Sequence, residues 1–74
     1  MSRKLYVVLG MVQRPGNYDM RVVPAILLEH SENEAIENHR RFIQKHSPGH
    51  RIEYFRVYPI QEYLIREAYD ELAK

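Results

Sequence analysis

The residue pattern predicts a small α+β domain, ββαβα in order, with a three-stranded antiparallel sheet of order 2-1-3 packed with two helices. Three observations predict it: an apolar run leading into a Pro-Gly turn, a capping box ahead of an apolar stripe of helical period, and an aromatic, branched run leading into a proline. At 74 residues, positions 1–74 are read as a single domain.

Leu5 to Val12 is apolar at both alternating sets, Leu5/Val7/Leu9/Met11 and Tyr6/Val8/Val12. That suits a central strand covered on both faces. Arg3 and Lys4 ahead of this run imitate a secretion signal, but the apolar stretch is short and no small-x-small cleavage site follows, so a first strand is expected. Arg14-Pro15-Gly16-Asn17 is a turn: proline presets φ for the second position and glycine accepts a positive φ at the third. Met20 to Leu28 then returns as the second strand. Pro24 within it has no amide proton, which places this strand at a sheet edge.

Ser31-Glu32-Asn33-Glu34 fits a capping box, starting a helix near Glu32. Ala35, Ile36, His39, Phe42, Ile43 and His46 share an arc of roughly 120°, a core-facing stripe. Pro48-Gly49 stops the helix. Arg51 to Tyr58 reads as the third strand, and Pro59 opens a second helix whose apolar side carries Ile60, Leu64, Ile65, Ala68 and Leu72. A right-handed crossover through the first helix sets the third strand beside the first. One helix covers one sheet face; the other face is covered by the second helix or by a partner, and so small a core gains from a partner.

The net charge of +1 conceals blocks: +3 over residues 1–28, −4 over 29–37, +4 over 38–56 and −2 over 57–74. Without cysteine, disulfides and thiolate zinc sites are excluded, and the composition fits a reducing cytoplasm. No apolar run approaches the ~20 residues that span a bilayer, so no membrane role is expected.

Four kinds of chemistry can be weighed on these residues. A histidine metal site from His39, His46 and His50, with Glu53 or His30, fails on spacing, because Pro48 and Gly49 break the helix between His46 and His50. No metal and no cofactor is expected. An acid-free basic stretch, Arg40, Arg41, Lys45 and Arg51 with His50, is the candidate nucleic-acid contact, although cations at a helix C-terminus also complement its dipole. Tyr54, Phe55 and Tyr58 offer a stacking platform, yet no ribonucleoprotein motif accompanies them, and the pI of about 8.1 is below that of most such domains. A small oligomeric enzyme with a histidine-containing site between subunits is a further alternative, but no glycine-rich phosphate loop or nucleophile motif supports it.

The favoured expectation is a non-catalytic protein-binding module of adaptor or inhibitor type. Free-standing domains of this size are often accessory regulators, including phage-encoded ones. Homodimerisation through a sheet face or helix surface is expected, with another protein as the further partner. Tyrosine and arginine are enriched in interface hot spots, which singles out Tyr6, Tyr54, Tyr58, Arg51 and Arg56 as the partner-binding set, with Tyr63, Tyr69 and Arg66 as further members of that composition.

Overall fold

A computed structural model describes residues 2–16 and 18–72, with the side chains of residues 69, 71 and 72 left aside. The order is β1 (Lys4–Gln13), β2 (Met20–Glu29), α1 (Glu32–His46), β3 (Arg51–Pro59) and α2 (Ile60–Leu72). The sheet is antiparallel throughout with strand order β2-β1-β3, as the pattern predicts. Gly16 supplies the positive φ, 71°, of the β1–β2 turn; Asn17, the turn's fourth expected residue, lies outside the described residues.

Side chains on β1 alternate between two covers. Tyr6, Val8, Gly10 and Val12 face α1, whose Ala35, His39 and Ile43 are buried against them. Leu27, Phe55 and Val57 close this core from the flanking strands. Gly10 allows the close approach of α1, since a Cβ there would stand 2.7 Å from Ile43 Cδ1 and 3.3 Å from Phe55. His39 is buried in this layer and donates from Nε2 to the Val23 carbonyl at 2.7 Å, so a polar ring is tolerated because its proton has a fixed acceptor.

Helix α1 begins as its residues dictate. The Ser31 hydroxyl accepts from the Glu34 amide at 3.2 Å, and the Glu34 carboxylate reaches back one residue past the cap to accept from the His30 amide. The expected stripe narrows in the structure. Phe42 and His46 lie to one side of the Ala35/His39/Ile43 line, are exposed, and pack against each other with ring centroids 4.4 Å apart and planes tilted by 40°. At the other end the Ser47 amide donates to the Ile43 carbonyl, and Gly49, at φ 85°, turns the chain into β3.

A β-bulge in β3 decides what the rest of that strand presents. Met11 pairs with Tyr54 but Val12 pairs with Ile52, so Glu53 is the extra residue. Strict alternation would put Ile52 on the same side as Tyr54. The bulge instead turns Ile52, Phe55 and Val57 toward α1, and places Arg51, Tyr54, Arg56 and Tyr58 by register on the opposite face. That opposite, outer face is where the fold stops being closed.

Candidate functional site

The outer face is built from the second alternating set of each strand. Cross-strand register brings Leu5, Val7, Leu9 and Met11 of β1 level with Leu28, Ile26, Pro24 and Val22 of β2, and Gln13 level with Met20. The outer-facing apolar residues of β2 therefore form one row. α2 starts directly after β3 and turns back over β3 and β1; Tyr63, Arg66, Glu67 and Asp70 line a cavity of about 260 Å³ with Leu9, Arg56 and Tyr58. Among the described residues α2 makes no close approach to β2.

α1 reaches all three strands on the inner face, whereas α2, held close to β3 by the short connection, lies over β3 and β1 and leaves the β2 side of the outer face bare. The consequence is visible along the row: Met20, Val22, Ile26 and Leu28 are all exposed, with Leu5 beside them. Leu5, Leu28 and Ile60 line a cavity of about 560 Å³ where the bare strands meet the start of α2.

α2 also contacts its own sheet with an unexpected side. Tyr58 and Tyr63 have centroids 6.0 Å apart, and the Arg66 guanidinium lies 5.0 Å over the Tyr58 ring. Leu64 and Ile65 sit roughly 110–150° round the helix from this contact at 100° per residue, and both are exposed. The apolar side predicted for this helix thus points away from its own β3; Leu72, expected on the same side, lies outside the described side chains. The radius of gyration, 13.7 Å, exceeds the roughly 11 Å of a closed domain of this length.

The tyrosine–arginine cluster lies across β1 from the row, and its charges interact. The Arg56 guanidinium lies 5.7 Å from the Tyr54 ring and is bonded to Tyr58, which raises the Arg56 pKa. The same bond, helped by the charge of Arg66, holds the Tyr58 phenol below the ordinary tyrosine range, while bonding to Glu67 pushes Tyr63 above it.

Of the expected partner-binding residues, Arg51, Tyr54, Arg56 and Tyr58 share the outer face. Tyr6 does not: it is 6% exposed in the core under α1, because it belongs to the alternating set of β1 that Ala35 covers. Tyr63 and Arg66 join the outer cluster; Tyr69 lies outside the described side chains. The aliphatic row of β2 and the Leu64/Ile65 flank are the surface residues that composition alone did not single out.

The basic segment is less unified. Arg40 bonds Glu37 at 3.3 Å and lies 5.1 Å over the Phe55 ring, while Arg51 pairs with Glu53 at 3.0 Å on the far side of the sheet. Arg41 and Lys45 are exposed, and half-buried His50 has a buried Nδ1 without a hydrogen-bond partner among the described residues. Among those residues no group of histidines and carboxylates is placed to hold a metal, and no helix is long and apolar enough to cross a membrane.

Comparison with protein-family models, with curated proteins and with solved structures gives no match.

Proposed function

We propose that this chain is a small non-catalytic protein-binding module of adaptor or inhibitor type, acting in the cytoplasm through the outer face of its sheet. The observation that carries this reading is the uncovered row Met20, Val22, Ile26 and Leu28 on an otherwise ordered strand. A contiguous apolar patch of this kind is held in water at a cost, and marks interaction surfaces in small soluble domains. The outer face carries an aliphatic row on one edge strand and, across β1, Tyr54, Arg56 and Tyr58 on the other edge strand with Arg66 of α2, the residue types that anchor hot spots.

The surface suits contact better than chemistry. Its cavities are lined by apolar, aromatic and charged side chains together, and Arg56, Tyr58, Arg66, Tyr63 and Glu67 are engaged with one another. The basic segment has no comparable apolar row, and its arginines are divided: Arg40 of α1 pairs with Glu37, while Arg51 of β3 pairs with Glu53.

The test is affinity purification of the tagged chain from its native host, then measurement of affinity for the recovered protein with the wild type, Ile26→Glu and Arg41→Glu. Burying the Ile26 side chain is worth about 1–2 kcal/mol, so its replacement by a carboxylate should weaken the complex tenfold or more, while Arg41→Glu leaves it intact. Equal binding by wild type and Ile26→Glu would overturn the assignment of the outer face.

A further inference from the structure

The outer face contains two unfinished halves of opposite kind. β2 presents a half-sheet that no helix covers, and α2 presents an apolar flank, Leu64 and Ile65, that no sheet covers. Both belong to the same chain, and the first turn of α2, at Ile60, borders the cavity lined by Leu5 and Leu28. The chain cannot satisfy one with the other, because α2 is already anchored on β3 through Tyr63 and Arg66.

On the premise that the outer face binds protein, we propose that its occupant is a second copy of this chain, related by a two-fold axis. In this assembly the Leu64/Ile65 flank of each α2 seats on the Met20–Leu28 row of the other copy's β2. Reciprocity is the reason for choosing a second copy over an unrelated protein. Each copy supplies the helix that the other's half-sheet lacks and receives a sheet for its own helix flank, so a single two-fold operation fills both deficits and closes the assembly.

The area agrees. With roughly 200 Å² on a fully exposed large residue, the half-exposed Leu5, Met20, Val22, Ile26, Leu28, Leu64 and Ile65 leave on the order of 700 Å² per copy, close to the roughly 800 Å² each partner gives to a standard interface. The two sheets then sandwich a pair of α2 helices, each resting on its own β3 through tyrosine and arginine and on the other copy's β2 through aliphatic side chains. Pro24 stays compatible with this packing, because contact is through the face of β2 and not through its hydrogen-bonding edge.

The chain has no cysteine, so single cysteines report contacts without background. The experiment mixes full-length Ile26→Cys and Leu64→Cys chains, allows subunit exchange, and adds a short bismaleimide cross-linker; Phe42→Cys with Leu64→Cys is the distance control, and circular dichroism checks each fold. Expected is a cross-linked dimer from the Ile26→Cys and Leu64→Cys mixture, in yield well above either chain alone and above the control, and lost in urea. Trapping by Ile26→Cys alone at equal yield would mean sheets packed face to face, and yield no higher than the control after complete mixing of subunits would mean that α2 of one copy does not lie on β2 of the other. Either result overturns the proposed assembly. Neither touches the assignment of the outer face, which falls only if Ile26→Glu keeps the host complex.

Discussion

Val7 and Ile26 stand opposite each other in the β1–β2 ladder and point to the same outer face, yet Val7 is 5% exposed and Ile26 is 62% exposed. One strand spacing separates a finished core from a bare surface. The pair therefore divides fold from assembly. Val7→Ala should destabilise the folded chain by about 2 kcal/mol at any protein concentration, through lost transfer and cavity terms. Ile26→Ala should change stability little in dilute solution, with a deficit that grows as protein concentration rises and assembly contributes. Urea denaturation at two concentrations, followed by far-ultraviolet circular dichroism, separates the two; an identical concentration dependence for both variants would contradict the division.

The α1 side has the opposite character, with little spare volume. Gly10→Ala places a methyl against Ile43 Cδ1, Phe55 and His39, and should cost about 1–2 kcal/mol, because the isoleucine tip is flexible but enclosed. His39→Ala removes the hydrogen bond to the Val23 carbonyl and opens a cavity, and should cost about 3 kcal/mol. Shifts in the urea midpoint at constant slope are the readout. Neutral behaviour at both positions would refute this packing.

The outer tyrosines should titrate apart. Tyr58 is held below the ordinary tyrosine range by Arg56 and Arg66, so its folded form releases the proton first; its contribution to stability is present above pH ~10 and is lost as pH falls through the folded value. Tyr63, raised by Glu67, has the reverse sign: its contribution is present below pH ~10 and is lost as pH rises through the folded value. Absorbance titration of the phenolate should lose its earliest component in Tyr58→Phe and a late component in Tyr63→Phe. The early component should move to higher pH in Arg56→Gln; its persistence unchanged would remove the arginine as its cause.

Much of the fold was legible in the sequence because short-range rules set it. Pro15 and Gly16 gave the turn, Ser31 and Glu34 the helix start, and Pro24 the edge position of β2. The outer face was legible only in part. The tyrosines and arginines announce themselves by composition, but Tyr6 carries the same composition into the core, and only its place in the alternation under Ala35 separates it from Tyr54. The bulge at Glu53 is set by β1–β3 pairing across the whole chain, and no local pattern marks it. The rotation of α2 depends on Tyr63 and Arg66 finding Tyr58, a contact between elements whose side chains balance only once the strand register is fixed.

The most direct test of the central claim is the molar mass of the purified chain by light scattering across a range of concentrations, for wild type and Ile26→Glu. The outer face as a protein-binding surface, occupied by a second copy, predicts twice the 8.9 kDa chain mass for the wild type and a folded single chain for Ile26→Glu. A wild type that stays at 8.9 kDa at every concentration, or an Ile26→Glu dimer as stable as the wild type's, would contradict it.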